Sequence, residues 1–321
     1  MISILLYLTV DLRFLSSNST LEGVEEIGDV ITITEQSEPN EFTQLPQDTD
    51  TYDNQESEVL IRRKLLENPR IINGTKTKIN LNPYAVSLLL KSKTLDVSKR
   101  SHARHVCGGS LIHRSWILTA AHCLDFDSRN YQLQVSSGSA GWNNSKAMIN
   151  VVDQMFIHPA FNSSDSQRGD IGLVRLSSSV NLGPNSKIVK LWTDPKKYPK
   201  DNLYVLGWGR TDLLDIDSVS ETLRKFNLTV ISSEECAQRC RRIPECIPPD
   251  SATEMCSREE SGGVFHGDSG SPVIHYDTGK QIALVSKGAE NPLVYSQSPR
   301  IYTLIEPYLG WLRSITNLSF N

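Results

Sequence analysis

The chain has 321 residues, 38% hydrophobic and 22% charged, the composition of a globular protein of one large or two ordinary domains. Its charge is unevenly spread: residues 1–70 carry 14 acidic against 5 basic side chains, a net of −9, and residues 71–321 carry 28 basic against 23 acidic, a net of +5. That body charge is too weak, and too little clustered on any helix, for a nucleic-acid-binding surface.

Ile2–Val10 is apolar and reads as the core of a signal peptide over residues 1–17, with Ser16 and Ser17 at the cleavage position, although no basic stretch precedes it. It is too short to span a bilayer, so a membrane anchor is not expected. Residues 18–70 are acidic, rich in Thr, Gln and Asp, and without sustained apolar periodicity, which predicts a disordered segment.

The texture changes at Ile71. Short apolar runs (Tyr84–Leu90, Ser110–Leu118, Asp170–Leu176, Leu203–Leu206) alternate with Gly, Asn, Ser and Pro clusters. This spacing predicts an all-β barrel or sandwich rather than a parallel α/β sheet. Residues 91–105 read as a polar surface loop. A helix is expected at the end of the chain, with Pro307 in its first turn and Tyr308, Leu312 and Ile315 on one face.

All six cysteines (Cys107, Cys123, Cys236, Cys240, Cys246 and Cys256) lie in the body, without the C-x₂-C spacing of a zinc site. An even count fits disulfides in an oxidising compartment. Sequons beginning at Asn18, Asn73, Asn143, Asn162, Asn227 and Asn317 agree with a secreted, extracellular glycoprotein.

Three local patterns carry chemistry. Thr119-Ala120-Ala121-His122-Cys123 follows an apolar run, Asp170-Ile171-Gly172-Leu173-Val174 opens another, and Gly267-Asp268-Ser269-Gly270-Ser271-Pro272 forms a Gly-rich turn. A serine hydroxyl attacks well only when a base takes its proton. An imidazole suits that role, and a buried carboxylate fixes its tautomer. Glycine before the serine lets the backbone aim amide N–H groups at a developing oxyanion. Each pattern alone is weak; the three in this order are specific. An esterase built on G-x-S-x-G would need the serine before the acid and the histidine.

From Ile71 to the end, the chain resembles the trypsin/chymotrypsin-like serine peptidases. Cys107-Gly108-Gly109-Ser110-Leu111-Ile112, Phe156-Ile157-His158-Pro159, Gly207-Trp208-Gly209 and Ile301-Tyr302-Thr303 add to the match. The resemblance implies two six-stranded antiparallel β-barrels and a C-terminal helix over residues 71–321, preceded by a propeptide over 18–70. It implies a secreted serine endopeptidase acting on protein or peptide substrates through an acyl-enzyme. His122 would be the general base, Asp170 its orienting carboxylate and Ser269 the nucleophile, with the amides of Gly267 and Ser269 as oxyanion hole. Gly263, Phe265, Ser286, Gly288 and Arg300 would lie on the substrate side, Ser286 also supporting Asp170.

Arg70-Ile71-Ile72-Asn73-Gly74 resembles the family's activation junction. Its cleavage by a separate Arg-cleaving protease would free an Ile71 ammonium to pair with Asp268. Protease inhibitors are further partners that the resemblance suggests. Cys107–Cys123 and Cys236–Cys256 match family disulfides, leaving Cys240–Cys246 as an extra bridge, although three connectivities stay open among the last four. No cofactor or metal is expected. Residues 135–149, which face the family's calcium loop, contain no Asp or Glu.

The departures lie around the specificity pocket. Phe265 replaces a cysteine whose partner beyond Gly288 is also missing, so the usual bracing disulfide is lost. Lys287 replaces a tryptophan, Gly263 stands where trypsins carry an aspartate, and Arg300 takes a wall position that is usually glycine. Together they resemble granzyme B and imply cleavage after acidic residues, Asp above Glu. Alternatively Arg300 pairs with a neighbour such as Glu290 and closes the pocket. A rival reading makes the chain a catalytically silent homologue that uses the barrels as a binding scaffold.

Overall fold

The computed structural model describes residues 74–93, 103–162, 168–195, 198–244, 246–258, 262–288 and 294–320. The expected signal peptide, propeptide, Arg70 and Ile71 lie outside them, as does Glu290. Two closed barrels account for nearly all the strands. The first contains β2 (Ala85–Ser92), β3 (Arg104–His113), β4 (Trp116–Thr119), β5 (Tyr131–Ser137), β6 (Met148–Ile157) and β7 (Gly172–Leu176), in the order β2-β3-β4-β7-β6-β5, all antiparallel. The second contains β8 (Leu203–Gly207), β9 (Arg224–Ile231), β10 (Glu254–Arg258), β11 (Pro272–His275), β12 (Gln281–Lys287) and β13 (Arg300–Leu304). It runs β9-β10-β13-β12-β11-β8 and closes through β8 on β9. A short strand β1 (Thr75–Lys76) pairs with β9, so the start of the described chain lies on the second barrel.

Most of these strands are buried along nearly their whole length, which is why they read as continuous apolar runs rather than strict alternations. The run Ser110–Leu118 is two strands, not one: β3 ends at His113 and β4 starts at Trp116, the hairpin turning at Arg114-Ser115. The polar loop is shorter than the expected 91–105, because β2 extends through Ser92 and β3 begins at Arg104. Residues 94–102 are outside the described set.

Leu88, Ile117, Leu118, Ile171 and Leu173 fill the first barrel, and Val205, Met255, Val273, Ala283 and Tyr302 the second. The first core continues across the interface through Leu206, Trp208, Ile274 and Leu284. Polar ties cross there too: Ser110 Oγ donates to Gln281 Oε1 at 2.6 Å, and the Tyr84 and Tyr204 hydroxyls are 2.9 Å apart.

Of the two α-helices among the described residues, α1 (Ser233–Cys240) starts at Ser232, whose hydroxyl accepts the Glu235 N–H. At the C-terminus, Pro307 belongs to a 3-10 turn, Glu306–Tyr308, and the α-helix proper, α2, is Leu309–Thr316. Leu312 is buried and Ile315 partly so, as the helical spacing predicts. Tyr308 and Trp311 meet the His158 ring edge-on at 4.9 and 5.0 Å, docking α2 on the first barrel. The cysteines pair as Cys107–Cys123, Cys236–Cys256 and Cys240–Cys246. No helix among the described residues is long and apolar enough to cross a membrane.

Candidate active site

His122 and Asp170 follow β4 and precede β7, neighbouring strands of the first barrel that pair Thr119 with Gly172. This pairing brings together residues 48 apart in sequence. Asp170 is fully buried. Its Oδ1 accepts the His122 backbone N–H at 3.0 Å, and its Oδ2 lies 2.8 Å from His122 Nδ1. Ser286, from β12 of the second barrel, donates its hydroxyl to the same Oδ2 at 2.6 Å. Burial pushes the Asp170 carboxyl pKa upward, but the charge and hydrogen bonds of His122 and the Ser286 hydroxyl outweigh it, leaving the group below its ordinary value. A carboxylate so held keeps a proton on Nδ1 and leaves Nε2 available as a base.

Ser269 is half-buried on a turn pressed against the first barrel. Gly108 N donates to the Ser269 carbonyl at 2.8 Å. Gly270 has φ +75°, and a Cβ there would lie 2.2 Å from Thr119 Oγ1, three residues before His122. Only glycine permits that turn and that approach. Gly267, at φ +94°, is likewise left-handed. Among the described residues, neither the Gly267 nor the Ser269 amide donates to a protein acceptor.

His105, which sequence reasoning placed in a surface loop, is buried behind this turn. Its Nε2 is 2.8 Å from the Gly267 carbonyl and its Nδ1 2.7 Å from Ser87 Oγ. Burial lowers its pKa to about 4, against the opposing pull of the Gly267 carbonyl, so the ring is neutral. It therefore donates from Nε2 and accepts the Ser87 hydroxyl.

Asp268 is buried beneath the same turn and accepts the N–H groups of Gly209 (2.8 Å) and Phe265 (3.0 Å). Burial nonetheless pushes its pKa up to about 7, the two amides and Arg224 opposing the shift. A small recess beside it is lined by Gly207, Arg224, Gly263 and Val264. Arg224 Nη1 donates to the Gly74 carbonyl at 2.9 Å, fixing the chain three residues after Ile71.

Gly263 is buried at φ +147°, and Phe265 is half-buried and meets the Tyr295 ring edge-on. Arg300 is buried at the start of β13, and its Nη2 donates to the Tyr295 carbonyl at 3.1 Å. A Cβ on Gly288 would lie 2.6 Å from Arg300 Nη1, so the guanidinium lies against that glycine. Lys287 forms an ion pair with the buried Glu254, at 2.7 Å. Neither Tyr295 nor Glu254 was expected from the sequence.

Ligand atoms of Cys107, His122 and Cys123 lie within 4.8 Å of one another, but the two sulfurs are bonded to each other and leave one imidazole. That donor set does not suit a metal. Residues 71–312 match the family model described as Trypsin, which spans most of the chain and both barrels. The chain belongs to the trypsin family of serine peptidases.

Proposed function

We propose that the chain is the secreted zymogen of a serine endopeptidase, cleaved at Arg70–Ile71, that cuts peptide bonds after acidic residues. The hydrogen-bonded series His122–Asp170–Ser286, beside the Ser269 turn whose two amides meet no acceptor among the described residues, carries this reading. Ser269 Oγ attacks the scissile carbonyl as His122 Nε2 takes its proton, and Asp170 stabilises the resulting imidazolium. The Gly267 and Ser269 amides hold the oxyanion. His122 returns the proton to the leaving amine, and water then cleaves the acyl-enzyme by the same steps.

Three disulfides support an oxidising, extracellular setting. Activation is supported by Asp268, whose burial calls for a cation, and by Gly74, anchored beside the recess. Three residues of extended chain, which span about 10 Å, separate Gly74 from the Ile71 ammonium that would enter the recess. An acidic preference is supported by Arg300 against Gly288 and by the lack of a carboxylate at Gly263. A guanidinium there repels Lys and Arg and attracts a substrate carboxylate. An enzyme with that preference does not cut its own Arg70–Ile71 bond, so another, Arg-cleaving protease must activate it. Inhibitors of serine peptidases would be further partners.

The test is turnover of peptides varied only at the residue before the scissile bond, after limited trypsin treatment and with Ser269→Ala as control. Asp-selective cleavage lost in Ser269→Ala is expected. Cleavage that survives in Ser269→Ala would remove the mechanism, and a binding scaffold would show no turnover at all.

A further inference from the structure

We propose that Tyr295 is the positioning residue that aims Arg300, and that its ring, in place of a disulfide, holds the wall of the specificity pocket. The inference rests on the acidic preference proposed above.

Tyr295 is almost fully buried, and its contacts among the described residues include four that reach Arg300 or the Phe265 segment. The Arg300 guanidinium carbon lies 3.7 Å from the centre of its ring. Its carbonyl accepts Arg300 Nη2 at 3.1 Å. Its hydroxyl donates to the Val264 carbonyl at 3.1 Å. Its ring meets that of Phe265 at 5.2 Å and 83°, a T-shaped contact.

The last two contacts reach the segment that carries Phe265, where the missing cysteine would stand. Tyr295 itself lies beyond Gly288, in the segment that lacks the partner cysteine. One aromatic residue therefore joins the two segments that a covalent bridge would have joined. The first two contacts give this clasp a purpose a disulfide could not serve. A guanidinium is planar and delocalised, and stacks on an aromatic face as an ammonium does not. With its guanidinium over the Tyr295 ring and one N–H group on the Tyr295 carbonyl, Arg300 has few rotamers left. A cation already ordered loses little freedom when a carboxylate arrives, so its charge favours binding more fully.

The test compares kcat/KM for two peptides, with Asp or with Ala before the scissile bond, in the activated wild type, Tyr295→Phe and Tyr295→Leu. Tyr295→Phe keeps the ring and the carbonyl and should hold the Asp-to-Ala ratio within about threefold of wild type. Tyr295→Leu loses the ring and should lower the ratio about tenfold, chiefly through KM for the Asp peptide. If the leucine variant does not fold, pentafluorophenylalanine at 295 keeps the shape, reverses the ring's quadrupole and should lower the ratio likewise. A wild-type ratio in whichever of these two variants folds overturns the inference. A wild-type enzyme without Asp preference overturns it earlier, by removing the specificity on which it rests, and the two failures are told apart by which protein shows them.

Discussion

Ser286 Oγ and Asp170 Oδ2 are 2.6 Å apart, a contact that joins the second barrel to the acid of the first. The oxygen that accepts this hydroxyl also faces His122 Nδ1. Ser286→Ala should therefore raise the Asp170 pKa and loosen the imidazole. A lost hydrogen bond to a charged group is worth about 1.5–3 kcal/mol, so kcat should fall roughly 10- to 100-fold with KM little changed. Asp170→Asn, which would favour the wrong imidazole tautomer, should cost about 10⁴ in kcat. Steady-state kinetics on one peptide checks both.

If Asp268 receives the Ile71 ammonium on cleavage, it would tie stability to activation through pH. Its carboxyl titrates near 7 in the intact fold and at 3.8 when unperturbed, so the folded state holds the proton more tightly. The stability this contributes is complete below pH 3.8 and is lost as pH rises through about 7, at most about 4 kcal/mol. An Ile71 ammonium beside the carboxylate would cancel the loss. Melting temperatures of intact precursor and of cleaved Ser269→Ala protein should be close at pH 4 and diverge by pH 7.5, with the cleaved form more stable. A gap independent of pH would rule out this pairing.

Arg300→Gly should abolish the preference for Asp by roughly 10- to 100-fold in kcat/KM, the value of a charged hydrogen bond, while cleavage after small residues persists. Competition between Asp and Ala peptides in one mixture measures it directly. Undiminished preference for Asp in the variant would place the specificity elsewhere.

Lys287 and Glu254 form an ion pair of 12% and 2% exposed side chains, and Glu254 Oε2 also accepts the Asp250 N–H. Removing one partner should strand a buried charge, so Lys287→Met alone should cost about 3–5 kcal/mol in urea unfolding. The double replacement Lys287→Met, Glu254→Met should recover much of that loss, because two apolar side chains need no partner.

The barrels were readable because their strands are short, apolar and set off by turn residues. Ser110–Leu118 is two strands because the polar His113-Arg114-Ser115, with Arg114 exposed, breaks the apolar run at the turn. Pro307 marked the helical region but not the helix start, since a 3-10 turn accepts it as readily. His122, Asp170 and Ser269 each sit in a short motif, so local sequence sufficed to nominate them. His105, Tyr295 and Glu254 sit in no motif. Each acts on a partner supplied by the fold: Gly267 lies 162 residues from His105, and Lys287 lies 33 from Glu254. Tyr295 is close to Arg300 in sequence, but only the bend between them sets ring on guanidinium.

The division of the proposed catalytic groups between the barrels bears on how safely the chain can be made. A nascent chain exposes its first barrel to folding before the residues of the second have left the ribosome. At that stage His122 and Asp170 can already meet, but they have no hydroxyl to activate. Ser269 comes into place only when the second barrel closes and its turn settles on Gly108 and Thr119. Incomplete chains and half-folded forms are therefore inert by construction, before any propeptide has a part to play.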